Sequence, residues 1–404
     1  MLALLSSLQQ TSRYNEFVCF IIYFLVALDA LIVVPFSSAM AITAGASVSQ
    51  AGYLSSAYAL AAAITSLIIK GSTNPWDEKK KIRYALVGIA VVTLGTSLLN
   101  DFYWLLVARF LTGMFGGALA VITLNYLILI SGEKRKKKNT AILLSAFPLA
   151  LAVGVPSLIM LSSTSGWQFG FQLLGLALVG VLCLFSASLF ASSKSLNAPI
   201  PKLSHQPSTT EAVTNYKELL IAITLIFTAI LSTFVVSTQY PVMLLVNLNI
   251  PHPLISLSYA LSGLGSFIAV QGYARASVDN LTASRLIGAL SLVMAIAVGV
   301  GFHTLSLNAA ALAFITFIIV SSTRTLILIT ELISILTPQT RMKVIRLQSA
   351  LQHCAVGIGG ALGSVLVTTQ PNSTLDFTKM IYAAVILILC VPLLWHIKGY
   401  NRQG

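Results

Sequence analysis

The chain has 404 residues, of which 57% are hydrophobic and only 9% charged, with a mean hydropathy of +0.90. A soluble domain carries roughly 25% charged residues, so this composition excludes a soluble globular protein and indicates an integral membrane one. The formal net charge of +13 does not indicate a nucleic-acid partner, because the cations sit in short loops between apolar runs and form no basic face.

Runs of about 18 or more mostly apolar residues, the length that crosses a hydrocarbon core as a helix, define twelve spans. They cover 15–40, 50–70, 82–99, 103–130, 140–162, 169–191, 218–245, 253–274, 283–302, 307–330, 343–368 and 378–398. No small-residue cleavage site follows a short apolar core at the N-terminus, so the first span is expected to be retained. Spans 3 and 4 are separated only by Asn100, Asp101 and Phe102, a tight turn. Spans 4 and 5 are joined by Glu133 and the cations Lys134 to Lys138, the pattern of a membrane hairpin with a charged hinge.

Of the 24 Lys and Arg, Arg109 and Arg324 fall inside spans, and Lys379 alone borders an odd-numbered connection. All the rest lie at the N-terminus, in the loops after spans 2, 4, 6, 8 and 10, or at the C-terminus. Clustered cations stay on the cytoplasmic side, so both termini are expected there, with the chain in a bacterial inner membrane. The Pro- and Ser-rich stretch 192–217 reads as a cytoplasmic linker between a half at 1–191 and a half at 218–404. Tyr58-Ala59-Leu60 returns as Tyr259-Ala260-Leu261, and Ala152-Val153-Gly154-Val155 as Ala355-Val356-Gly357-Ile358. Two matches at nearly one offset, in equivalent spans, support a duplicated six-helix unit.

All four cysteines (Cys19, Cys183, Cys354, Cys390) lie within apolar spans, so neither a disulfide framework nor a metal cluster is indicated. No nucleotide loop or nucleophile constellation appears, so no cofactor, no ATP-driven step and no enzymatic activity is expected. The expected partners are a small-molecule substrate, protons and the lipid bilayer, with no nucleic acid, acting on a monomer.

Asp29 is the one carboxylate well inside a span. Counted from Phe17 at about 1.5 Å per residue, it lies roughly 18 Å into a core of about 30 Å. Arg109 lies roughly 10 Å below the turn at Asp101, close to the same depth. Intramembrane charges are functional by default, so the pair is a candidate for proton coupling; the alternative is a static pair that fixes packing. His353 lies near mid-membrane and is either a second titrating group or a hydrogen-bonded packing residue. Arg324 reads as structural, with its long side chain snorkelling to the interface. Tyr58, Asn125, Gln239, Tyr240 and Gln352 are candidate polar groups of a substrate cavity. Gly154 and Pro156 are candidates to bend span 5, since proline removes a backbone hydrogen bond.

Several stretches together resemble the major facilitator superfamily, and within it the arabinose-efflux-permease-like drug and sugar exporters. They are Leu28 to Pro35, Val48 to Ile64, Ala108 to Leu119, Gly154-Val155-Pro156 and Gly166 to Phe169. The resemblance implies an all-α membrane protein of twelve transmembrane helices in two pseudo-symmetric six-helix halves. Spans 1 and 4 of that fold line the N-terminal cavity, which places Asp29 and Arg109 there. It further implies a secondary active transporter, a proton-coupled antiporter exporting a small organic solute (a drug, a sugar or a siderophore-like compound) by alternating access. A facilitator or importer of the same fold, or a receptor or scaffold that has lost transport, are the competing readings. The loop between spans 2 and 3 departs from the family pattern: Asn74 stands where the family has a gating Asp, with Asp77 and Glu78 as possible substitutes.

The cation distribution yields a topological prediction. Cysteines introduced by Ser47→Cys and Asn372→Cys should react with an impermeant thiol reagent added outside intact cells, and Ser192→Cys and Thr140→Cys should not. Labelling at position 192 from outside overturns the topology.

Overall fold

The computed structural model describes residues 2–69, 71–192, 216–275, 280–371 and 374–400. The N-terminal half contains α1 (Leu2–Thr43), α2 (Gly52–Ile68), α3 (Pro75–Thr96), α4 (Phe102–Ile130), α5 and α6 (Trp167–Ser192). The C-terminal half contains α7, α8 (His252–Arg275), α9 (Asn280–His303), α10 (Leu307–Ile335), α11 (Pro338–Leu366) and α12 (Thr378–Tyr400). Two helices are segmented. α5 runs through Glu133–Leu144, Ala146–Leu149, a π-helical turn at Ala150–Gly154, and Val155–Leu161. α7 runs through Tyr216–Ser237 and, after a break at Thr238 and Gln239, Tyr240–Val246. The linker expected over 192–217 falls, apart from its ends, outside the described residues.

Local chemistry sets several helix starts. Asp101 Oδ1 accepts from the Trp104 amide at 3.1 Å to open α4, and Ser306 Oγ accepts from the Ala309 amide to open α10. Asn74 Oδ1 accepts from the Trp76 amide at 3.0 Å while Pro75 takes the first turn of α3. Both segmented helices break beside a proline. Pro156 has no N–H to donate back, and the preceding turn widens to π geometry; Ser157 Oγ donates to the Val153 carbonyl at 2.7 Å.

By length and composition alone, eleven helices can cross a membrane. Among the described residues, α3 is the long helix outside that set, because its first turns carry Asp77, Glu78, Lys79, Lys80, Lys81 and Arg83. It nevertheless packs against α4 and α6, and with it the number of spanning helices is the twelve expected. Its charged start forms one end of the helix at the membrane surface, and its apolar remainder lies among the spans.

The two halves repeat one packing scheme. In the first, α2 packs on α4, α3 on α4 and α6, and α1 on α4 and α6. In the second, α8 packs on α10, α9 on α10 and α12, and α7 on α10 and α12. Shifting every helix number by six converts one set into the other, the signature of a duplicated unit. The halves meet through α2 with α11 and α5 with α8, and through α1 with the second segment of α7.

The seam is asymmetric along the membrane normal. At the cation-poor face, Ser47 Oγ lies 3.1 Å from Thr369 Oγ1, which belongs to a small hairpin of β1 (Thr368–Thr369) and β2 (Leu375–Asp376). Asn247, at the end of α7, clamps that hairpin by donating to and accepting from the Leu375 backbone at 2.8 and 3.0 Å. Ser256 Oγ donates to the Pro156 carbonyl across the halves at 3.0 Å. At the cation-rich face, the ion pairs Arg135–Glu16 and Lys81–Glu78 and the Thr337–Glu218 hydrogen bond each stay within one half. There, among the described residues, α4 forms no packed interface with α10 or α11. The protein is closed at its cation-poor face.

That closure depends on a missing side chain. A Cβ at Gly52 would stand 2.5 Å from Ser364 Oγ and 2.6 Å from the Gly360 carbonyl, both across the seam. Gly52→Leu should therefore leave each half folded but wedge the seam apart. Ser56, which is buried in the closed seam, then reports the change. In a Ser56→Cys background, Gly52→Leu should accelerate modification by a hydrophilic thiol reagent, and an unchanged rate counts against this account of the seam.

Candidate functional site

Asp29 and Arg109 meet in the centre of the N-terminal half, and neither exposes any surface (0% each). Arg109 Nη1 donates to Asp29 Oδ2 at 3.2 Å, and Nη2 donates to the Asp29 backbone carbonyl at 3.1 Å. Thr93 Oγ1, from α3, donates to the other carboxylate oxygen at 3.2 Å. The guanidinium lies 4.9 Å from the ring centre of Tyr58 on α2 and 5.9 Å from that of Phe171 on α6. Five helices thus surround one ion pair. Arg109 Nε has no hydrogen-bond partner.

The local sequence makes this enclosure feasible. Arg109 is followed on α4 by Gly113, Gly116 and Gly117, which lie along the side facing α2. A Cβ at Gly113 would fall 2.1 Å from the Tyr58 carbonyl, and one at Gly116 would fall 2.3 Å from the Tyr58 hydroxyl. Small residues therefore let the α2 backbone approach until the Tyr58 ring covers the guanidinium. On the other side, α1 approaches α5 at Gly154, where a Cβ would stand 2.8 Å from Leu28 Cδ1.

Two charges removed from water lose hydration that their mutual attraction repays only with good geometry and further hydrogen bonds. Here Thr93 and the Asp29 carbonyl add hydrogen bonds, and the two rings add cation–π attraction. The arrangement can hold a carboxylate beside a fixed cation and release its partner if the carboxyl is protonated.

The other sequence candidates are distributed elsewhere. Asn125 Nδ2 donates to the Ser72 carbonyl at 2.9 Å and so pins the α2–α3 loop to α4. In that loop Asn74 caps α3 and Asp77 is exposed, whereas Glu78 is fully buried (0%). Glu78 accepts from the Ser72 amide and from Lys81 Nζ, so it is the carboxylate that ties the loop together. Gln239 sits at the break in α7 and donates to Ser364 Oγ at 3.2 Å, beside Gly52 in the seam. Tyr240 donates to the Ala297 carbonyl at 3.1 Å and packs against Phe302, Phe314 and Phe317, inside the C-terminal half. Gln352 and His353 are half-buried on α11, and the structure does not bring His353 to the Asp29–Arg109 pair. Gly154 and Pro156 flank the π turn of α5.

One expectation is corrected. Arg324 does not snorkel: it is fully buried (0%) and donates from Nη2 to the Ala229 carbonyl, Ser232 Oγ and Thr233 Oγ1 of α7 at 2.9, 2.9 and 3.4 Å. Distance from a helix end, which suggested snorkelling, does not fix the direction a residue faces around that helix. Thr93 and Phe171 were not legible as site residues, because a threonine and a phenylalanine in apolar spans are ordinary.

Twelve helices in two equivalent six-helix halves, the first enclosing a buried ion pair, define a multi-pass membrane protein of duplicated architecture. The sequence matches the Major Facilitator Superfamily over residues 19–364, and the chain belongs to that family. It is 23% identical over 193 residues, 48% of this chain and 49% of the other, to the uncharacterized MFS-type transporter YbcL of Bacillus subtilis (strain 168). It is 27% identical over 142 residues, 34% of each chain, to a protein of Pasteurella multocida (strain Pm70) named as a probable sugar efflux transporter. The chain therefore spans about half or less of the curated relatives it matches. Among solved structures, a bacterial homologue of the human lysosomal transporter Spinster, in an inward-facing and occupied conformation, superposes with a TM-score of 0.65. That match covers 96% of this chain and 97% of the other at 15% identity, a likeness of fold.

Removing one partner of the pair strands the other in an apolar interior, which costs about 3–5 kcal/mol. Asp29→Asn and Arg109→Gln should each lower the thermal unfolding temperature of the detergent-purified protein. The double variant should be less destabilised than the sum of the two. Strict additivity would show that the two side chains do not depend on each other.

Proposed function

We propose that this protein is a secondary active transporter that exports a small organic solute in exchange for protons by alternating access. Asp29 is the proton carrier, Arg109 its counter-charge, and the space between the halves the solute path. The observation that carries this reading is the Asp29–Arg109 pair: a carboxylate buried in the middle of a helix with no exposed surface, held by an arginine that cannot give up its charge. Protonating Asp29 frees Arg109 from its ion pair and loosens a contact that joins α1, α3 and α4. Such a change at the middle of a half is suited to altering how α1, α2 and α5 meet the other half.

The cation-rich face is assigned to the cytoplasm by the retention of Lys and Arg on that side. On this assignment both termini are cytoplasmic and the present structure is closed outside, the inward-facing state. Export draws its support from the exporter-like residues around Gly154 and Pro156 and from the sugar efflux name of one weak relative. The protein is proposed to act as a monomer in a bacterial inner membrane, with the halves at 1–191 and 218–404 as its moving parts.

The test is solute-dependent proton movement in reconstituted vesicles, screened over sugars and drug-like compounds. Asn at position 29 imitates a permanently protonated acid, so Asp29→Asn should abolish proton movement while solute binding remains. Full coupling in Asp29→Asn overturns the assignment.

A further inference from the structure

Asp29, Arg109 and Arg324 are the charged side chains of the described helices that are fully buried away from the helix ends. Asp29 and Arg109 neutralise one another. Arg324 forms no ion pair among the described residues. Its Nη2 holds neutral acceptors on α7, whereas Nε and Nη1 have no hydrogen-bond partner, which leaves three of its five N–H groups free. Glu331, two turns along the same helix, accepts from the Tyr273 hydroxyl instead. A guanidinium stays charged at every accessible pH, so this positive charge is permanent and uncompensated.

A packing role explains the three contacts to α7 but not the charge. Amides and hydroxyls can bridge two helices at far lower desolvation cost, and a charge kept inside a membrane bundle commonly marks a solute or ion path. Arg324 lies 17 residues from the start of α10, roughly 26 Å at the helical rise, and so towards the cation-rich face. At that face, among the described residues, neither α4 nor the first segment of α5 packs against the C-terminal half.

We propose that Arg324 is the anion-binding group of the solute site, and that the transported solute carries an oxyanion, a carboxylate or a phosphate. This deepens the transport reading above and rests on it. The oxyanion accepts from the free N–H groups of Arg324 and supplies the missing negative charge, as guanidinium–oxyanion pairs do elsewhere. Of the three α7 contacts, the one to Thr233 is longest at 3.4 Å, and Thr233 is half-buried whereas Ser232 is buried. The anion reaches the guanidinium past Thr233.

The experiment measures thermal stabilisation of the detergent-purified full chain. The probes are benzoate, gluconate and inorganic phosphate, with benzamide and glucose as uncharged counterparts. At least one anion should stabilise the wild type saturably, and the uncharged counterparts should not. Arg324→Gln should lose that response. If Arg324→Gln does not fold, Arg324→Lys keeps the charge with fewer donors, and the apparent affinity should fall at least tenfold. Stabilisation by none of the anions, or an unchanged anion response in either variant, overturns the proposal. Binding requires no proton movement, so the anion response is read on the wild type whatever the coupling assay returns. A failed coupling assay and a failed anion site are therefore separate outcomes.

Discussion

A guanidinium in the middle of a membrane helix cannot be discharged, and the N-terminal half is arranged around that constraint at Arg109. Its charge is met by one carboxylate, its flat faces by two aromatic rings, and its helix carries the glycines that let the covering ring come close. Each contact comes from a different helix: Asp29 from α1, Tyr58 from α2, Thr93 from α3 and Phe171 from α6. Burying a charge makes every one of these contacts obligatory, because water is not available as a substitute partner. The pair therefore fixes the relative positions of five helices in a region where the hydrophobic effect supplies no preference between protein and lipid.

The seam between the halves follows the opposite logic. It is built from Gly52, Ser56, Gly357, Gly360 and Ser364, with hydroxyl contacts at the cation-poor face. The ion pairs found at the cation-rich face stay inside single halves. Close-packed small residues attract through short-range dispersion, which falls away once the surfaces part. Strong interactions are thus placed inside each half, and weaker ones between the halves. The π turn and proline of α5 lie directly on the seam, with the Pro156 carbonyl accepting from the other half.

Much of the fold was legible because a membrane leaves few options. Each span has to be long and apolar, and loop cations sort to one side, so helix number and pairing followed from hydropathy and charge. The Asp29–Arg109 contact was legible from their similar depth together with the family resemblance, which sets spans 1 and 4 on one cavity. What depth cannot give is azimuth, the direction a residue faces around its helix. Arg324, read from its distance to a helix end, and Asn125 and Gln239, read as cavity groups, show the consequence: they face α7, the α2–α3 loop and the seam respectively. Glu78 illustrates a second limit. Its burial depends on the loop folding back so that the Ser72 amide reaches it, and neighbouring Asp77, of the same chemistry, remains exposed.

The duplicated halves agree in packing but not in charge, and this difference bears on mechanism. The N-terminal half holds a carboxylate that can gain or lose a proton beside a cation that cannot. The C-terminal half, among its described residues, holds only the cation. A proton can therefore change the first half's charge, while the second half's buried charge changes only if something charged binds there. Among the described residues, the polar contacts Ser47–Thr369 and Ser256–Pro156 that join the halves lie at the cation-poor face, away from Arg324. Direct electrostatics would favour a proton on Asp29 together with an anion at Arg324, because each reduces the penalty on the other. The proposed exchange in opposite directions therefore cannot come from repulsion between the two bound species. Under the proposal it is therefore assigned to the seam, through a requirement that each occupancy permits closure on only one face.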